Sequence, residues 1–166
     1  MKYVLFTGIA LAGLVIDQLT KLYIDGSFRL HESVTVFENF FHITYVRNPG
    51  AAFGMLADSP WRVPFFLVVA LVASAGILWY LHRSRERDFW LHGALALIFS
   101  GAVGNLIDRV RLGEVIDFLD VHWYRYHWPA FNVADSAITV GVGILIVHMW
   151  LEEKAEKNAR KDSPEA

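Results

Sequence analysis

The chain has 166 residues, 55% hydrophobic and 19% charged, which is too apolar for an ordinary soluble domain and points to a membrane protein. A formal net charge of −2, with no basic patch interleaved with stacking aromatics, gives no sign of a nucleic-acid partner. Cysteine is absent, which removes disulfides, thiolate metal sites and a cysteine nucleophile.

Four stretches are long enough to span a bilayer, which takes roughly 20 apolar residues. The first runs from about residue 3 to 24 and is interrupted by Asp17 and Lys21. Ala10-Leu11-Ala12 resembles a signal-peptide cleavage site, but apolar character resumes at once through Leu14, Val15 and Ile16, so a retained helix is expected. Asp17 and Lys21 are four positions apart, share a helix face and are expected to pair, a structural role that makes both charges tolerable.

An outer loop over about 25–62 follows. Val34 to Phe37 and Phe41 to Val46 are β-branched and aromatic, which predicts a small hairpin or cradle. Asn48-Pro49-Gly50 marks a turn. The next spans are 63–81 and 89–107, joined by a short loop with Arg83, Arg85 and Arg87. Gly101 and Gly104 predict close helix packing, which leaves Asn105 and Arg109 unexplained. The second outer loop, about 109–132, holds Trp123, Tyr124, Tyr126, Trp128 and Phe131 and is expected to lie in the membrane interface. The fourth span, 133–151, contains one acid, Asp135, and a charged tail over 152–166 reads as a fraying helix extension.

The fold class expected is therefore an all-α membrane protein, a single integral domain over 1–166, with a small β-cradle in the first outer loop. Four spans place both termini and the middle loop on one side. The dense arginines of that loop make it the cytoplasmic side by the positive-inside rule. Trp79, Trp90 and Trp150 then fall at inner helix ends, and Trp61, Trp123 and Trp128 at outer ones, where amphipathic rings belong.

This topology brings the polar residues to one depth. Asp17 lies seven residues before Ile24, roughly 10 Å below the outer end of its helix. Asn105, Asp108 and Arg109 end the third span, Asp135 opens the fourth, and Asp117 and Asn132 sit between them. Taken singly, Asp135 reads equally as a helix cap and Asp117 as a loop carboxylate, with Asp120 competing for the loop role. Taken together, two carboxylates in a partly dry site split their proton affinities, so one is an acid while the other is a base.

Asp17-Gln18-Leu19-Thr20-Lys21, Asn48-Pro49-Gly50-Ala51-Ala52-Phe53-Gly54, Gly101 to Arg109, Val115-Ile116-Asp117-Phe118 and Phe131-Asn132-Val133-Ala134-Asp135 resemble, in order, the motifs of bacterial lipoprotein signal peptidases (signal peptidase II), an aspartic intramembrane peptidase family. The resemblance implies an inner-membrane endopeptidase that removes the signal peptide of a prolipoprotein before its diacylglyceryl-modified cysteine. By position it implies Asp117 and Asp135 as the catalytic pair and Asn48, Asn105, Arg109 and Asn132 as residues lining the substrate and inhibitor site. Asp17 and Lys21 correspond to structural polar residues. Membrane lipid as a partner and inhibition by peptide antibiotics such as globomycin are implied too. No metal or organic cofactor is.

Three other readings stand beside it. A proton- or ion-coupled transporter would use the intramembrane acids as a relay, but the polar groups gather in one leaflet and no inverted repeat is visible. A serine protease would need Ser100 or Ser136 with His92, His148 or Lys21, and both histidines lie toward the opposite end of the helices from Ser136. A non-catalytic scaffold needs no site at all. A zinc protease is disfavoured because Thr35 stands where the second histidine after His31-Glu32 belongs.

Overall fold

The computed structural model describes residues 1–50, 56–84 and 88–162, with the side chains of 159–162 excepted. Ala51 to Gly54 of the second motif, Arg85 and Arg87 of the middle loop, and the last residues of the tail lie outside the described residues. The elements in chain order are α1 (Lys2–Ser27), β1 (Ser33–Phe37), β2 (Phe41–Asn48), α2 (Arg62–Arg83), α3 (Phe89–Leu112), β3 (Val115–Trp123), β4 (Tyr126–His127) and α4 (Val133–Asp162).

Among the described residues, α1 to α4 are each long and apolar enough to cross a membrane. They overrun the expected spans because the polar ends continue the helix. Helix α3 extends to Leu112 and stops where Gly113 turns left-handed at φ 74°. Helix α4 carries its charged tail to Asp162.

Helix α3 is the centre of the bundle, and α1, α2 and α4 all pack on it. Half of its apolar span is buried, whereas α2 buries only Leu81. The other helices therefore turn most of their apolar surface outward, the pattern of helices solvated by lipid tails. A Cβ at Gly101 would run into the Ala134 carbonyl oxygen of α4, and one at Gly104 into the Asp17 carboxylate of α1. These two glycines thus let three helices meet where the polar residues lie. Gly101→Ala is expected to destabilise the fold by about 1–3 kcal/mol, since the obstacle is backbone. Thermal melting in detergent measures it, and an unchanged midpoint contradicts the packing role.

At the other end of the bundle, Lys2 Nζ donates to the carbonyls of His82 and Ser84 at 3.1 and 2.9 Å, covering the C-terminus of α2. Asp88 accepts from Leu91 N at 3.0 Å and caps α3.

The hairpin expected in the first loop is present, and it belongs to a larger sheet. The four strands run in the order β1-β2-β3-β4, all antiparallel. The second loop was expected to lie in the interface. Its aromatics Trp123, Tyr124, Tyr126 and Trp128 are indeed exposed, but Val115 to Leu119 form a largely buried strand paired with β2. A β-bulge between Ile43 and Val46 shifts the register along this pair. Ile116, Phe118 and Tyr45 pack with Ile24 at the end of α1, which fixes the sheet to the bundle.

Candidate active site

Four elements converge on one cavity of ≈ 700 Å³ whose lining includes Asn48 (end of β2), Asn105 and Arg109 (last turns of α3), Asp117 (β3) and Asp135 (first turn of α4). Its remaining walls are mostly apolar, with Val115, Phe131 and Ile138 among them. A few polar groups in an apolar concavity is the usual make-up of a ligand site.

Asn132 is the residue that joins the two carboxylates. It is 0% exposed and sits just before α4. Its side-chain oxygen accepts from Asp135 N at 2.9 Å, and Asp135 Oδ2 accepts from Asn132 N at 3.2 Å. This is the reciprocal pattern of a capping box, with Asn132 as the cap. Its amide Nδ2 donates to Asp117 Oδ1 at 2.7 Å, to the Ile116 carbonyl at 3.2 Å and to Asn105 Oδ1 at 3.2 Å. The helix-cap reading of Asp135 is thus correct as far as it goes. The other oxygen, Oδ1, accepts from Asn105 Nδ2 at 2.7 Å, and the side chain lines the cavity.

Asp117 is 2% exposed and accepts a second amide hydrogen, from Asn48 Nδ2 at 2.9 Å. Burial pushes its carboxyl up to about 7, and the negative charge of Asp135 adds to the rise. The two amide donors pull the other way and lose. Near neutral pH this carboxyl is therefore divided between its two protonation states.

Below the cavity Lys21 is 1% exposed and meets Asp108 at 2.8 Å, Asp17 at 3.0 Å and Asn105 Oδ1 at 2.9 Å. The expected Asp17–Lys21 pair exists, but Asp108 makes it a triad. Asp17 also accepts from Ala134 N at 2.9 Å, and Asp108 from Ile116 N at 3.2 Å. The triad thereby anchors the backbone beside both cavity carboxylates. Sequence reasoning missed the place of Asp108 here; its spacing of three from Asn105 on one helix face was the available signal.

Arg109 Nη2 donates to the Gly50 carbonyl at 3.0 Å, Nη1 to the Asn105 carbonyl at 3.3 Å, and the guanidinium lies over the Phe66 ring at 4.4 Å. Asp120, the competitor for the loop role, has its oxygens directed at His127 and His42. Among the described residues, the hydroxyls of the two serine alternatives are directed at backbone carbonyls. Ser100 Oγ donates to the Leu97 carbonyl and Ser136 Oγ to the Asn132 carbonyl, each at 2.9 Å. His92 pairs with Ser84 at 2.9 Å and His148 with Asp88 at 3.0 Å, at the other end of the bundle.

A family model described as signal peptidase (SPase) II matches residues 9–151. A lipoprotein signal peptidase from Geobacter sulfurreducens is 56% identical over 152 residues, covering 92% of this chain and 95% of its own. One from Pseudomonas putida is 45% identical over 150 residues, covering 89% and 88%. A solved structure titled as a bacterial membrane enzyme superposes with a TM-score of 0.81 at 31% identity, over 97% of this chain and 93% of the other. A second of the same description gives 0.78 at 34% identity, over 87% and 91%.

Proposed function

The chain belongs to the signal peptidase II family, and from that premise we propose that Asp117 and Asp135 hydrolyse the scissile amide by activating water directly. The activity itself, removal of the signal peptide from prolipoproteins by a multi-pass membrane protease, comes with the family. The observation that carries the proposed chemistry is the joining of two carboxylates on one cavity through Asn132, with the Asp117 carboxyl held up to about 7.

The substrate amide enters between the carboxyls. Protonated Asp117 donates to the carbonyl oxygen, while the Asp135 carboxylate takes a proton from the attacking water. The water oxygen bonds to the carbonyl carbon and gives a neutral tetrahedral intermediate. On collapse the C–N bond breaks, the nitrogen leaves with the proton that Asp135 had taken, and Asp117 recovers its own. No acyl-enzyme forms. Asn48, Asn105 and Arg109 orient the substrate backbone, a role suited to preorganised donors in an apolar cavity. Asn132 fixes the carboxyls relative to each other. Asp17 and Lys21, with Asp108, hold the helices beneath them.

The bond cut is the one before the diacylglyceryl-modified cysteine. The acyl chains remain in the lipid beside α4, and the apolar cavity wall accepts the signal-peptide side chains. Both termini lie on the cytoplasmic side of the bacterial inner membrane, and the cavity opens toward the periplasmic side, the orientation the clustered arginines favour. Globomycin-type peptides compete for the same cavity. No metal or organic cofactor enters the hydrolysis.

The pH dependence tests the assignment of the acid. With Asp117 as proton donor, kcat/KM falls as pH rises through about 7, because the donor is lost. Cleavage of a diacylglyceryl-prolipoprotein by detergent-purified protein, followed from about pH 5 to about pH 9 so as to bracket the Asp117 carboxyl, is expected to show that falling limb. A rate that rises through the same range contradicts Asp117 as the acid.

A further inference from the structure

Strand β2 brings Asn48 to the Asp117 carboxyl, and its pairing with β3 is broken shortly before it does so. Ile43 pairs with Leu119 and Val46 with Asp117, so three steps along β2 match two along β3. Tyr45 lies inside this bulge. Its backbone bonds to the chain around the start of β1: Tyr45 N donates to the Glu32 carbonyl at 2.9 Å, and the Tyr45 carbonyl accepts from His31 N at 2.8 Å. A bulge disrupts the ladder locally. Beyond it the pairs at Val46, Arg47 and Asn48 are a short run to hold the end of the strand.

The pleat sorts the side chains around the bulge. Val46 lies opposite Asp117, and Asn48, two positions on, projects to the same face. There Asn48 Nδ2 donates to Asp117 Oδ2 at 2.9 Å. Gly50 N donates to Asn48 Oδ1 at 3.0 Å, and a backbone N–H only donates, so the amide turns its nitrogen to the carboxyl. Tyr45 and Arg47 project to the other face, where Asp25 ends α1. Arg47 Nη2 donates to Asp25 Oδ1 at 2.8 Å and Arg47 Nε to the Tyr45 hydroxyl oxygen at 2.7 Å. The hydroxyl in turn donates to Asp25 Oδ1. The three groups close a ring between helix and strand, with one member inside the bulge and one beside Asn48. An exposed ion pair fixes little. Here the Asp25 and Arg47 side chains are only 31% and 22% exposed, and the Tyr45 ring is buried against Ile24 and Ile116.

We propose that Asp25, Tyr45 and Arg47 are positioning residues: their hydrogen-bonded ring holds the end of β2 against α1 and so keeps the Asn48 amide on the Asp117 carboxyl. The link to catalysis rests on the reading of Asp117 as the acid. Asn48 is one of the two amide donors that pull this carboxyl down against its burial. When the ring opens, the donor drifts off and Asp117 keeps its proton to higher pH. Asp117 is faced as well by the Asp135 carboxylate of α4, the Lys21 ammonium of α1 and the Arg109 guanidinium of α3. Asp25 is faced also by Arg111 of α3.

The test leaves all four of those groups in place. Asp25→Asn, Arg47→Met and Tyr45→Phe are compared with Asn48→Ala in detergent. The titration midpoint of Asp117 is read by carboxyl-carbon NMR on aspartate-labelled protein, with its signal assigned by loss in Asp117→Asn. The pH profile of kcat/KM is measured beside it. Acting directly as charges, Arg47→Met would raise the midpoint, Asp25→Asn would lower it and Tyr45→Phe would leave it alone. The ring predicts that all three raise it, by no more than Asn48→Ala does, and that none moves it further in an Asn48→Ala background. The falling limb of kcat/KM should move to higher pH with it. Tyr45→Phe keeps the aromatic ring packed and changes no charge, so it decides the matter should a charge variant fail to fold. Opposite shifts for Asp25→Asn and Arg47→Met overturn the proposal. So do wild-type midpoints in the folded variants, or shifts that persist without Asn48. Midpoints that rise together while kcat/KM shows no falling limb support the ring and count against Asp117 as the acid.

Discussion

Asp117→Asn is expected to lower the single-turnover rate of prolipoprotein cleavage by on the order of 10²–10⁴-fold while leaving a folded protein. The substitution keeps the shape of the side chain and removes its acidic proton. Asp117 contributes little to holding the bundle together, because its partners are the side chains of Asn48 and Asn132, and Asn132 keeps its contacts with Asp135 and Ile116. The measurement is a rapid-mix cleavage assay with enzyme in excess over substrate, beside a melting curve of the same preparation. A rate within about 10²-fold of the wild type, short of the general acid–base range, removes Asp117 from the chemistry.

Lys21→Met is expected to act on the fold. Lys21 is almost fully buried, and its ammonium meets Asp17, Asp108 and Asn105, which matches its three donors. Methionine fills the space and leaves two carboxylates buried without a counter-charge. Breaking a buried ion pair by removing one partner costs about 3–5 kcal/mol, enough to consume much of the stability of a small protein. The variant should melt well below the wild type or fail to accumulate. Adding Asp17→Asn and Asp108→Asn should recover part of the loss, since amide oxygens can still accept from Ala134 N and Ile116 N. A Lys21→Met protein that melts like the wild type contradicts the triad's structural role.

The helices were legible from length and apolar run alone, because a lipid-facing helix needs no periodicity to declare itself. The helix ends away from both termini were also legible as the meeting place of Asn105, Arg109, Asp117 and Asp135, since alternating span direction fixes depth. Strand β3 was not. Val115, Ile116, Phe118 and Leu119 form a short apolar run, which does not distinguish a buried strand from an interfacial loop. Its pairing of Phe41 with Val121 and Asn48 with Val115 joins loops separated by two whole helices. Nothing local in the sequence encodes such a contact.

The interior of the site was hidden for a related reason. Asp135 showed itself as a helix-start acid and Asn132 as a polar residue three positions earlier. Their reciprocal capping bonds follow from that spacing. The contact that matters more, Asn132 Nδ2 to Asp117, depends on β3 passing beside the start of α4, where Leu119 bridges to Phe131. Likewise Asp108 joins Lys21 only because Gly104 lets α3 close on α1.

Asp135 and Ser136 are adjacent in the first turn of α4 and separate the aspartate mechanism from a serine one. The most direct measurement is single-turnover cleavage of a diacylglyceryl-prolipoprotein by Asp135→Asn and by Ser136→Ala, with the released peptide identified by mass. The expected result is cleavage near the wild-type rate by Ser136→Ala, with the product cut before the lipidated cysteine, and none detectable by Asp135→Asn. Cleavage retained by Asp135→Asn and abolished in a folded Ser136→Ala would contradict the two-aspartate site.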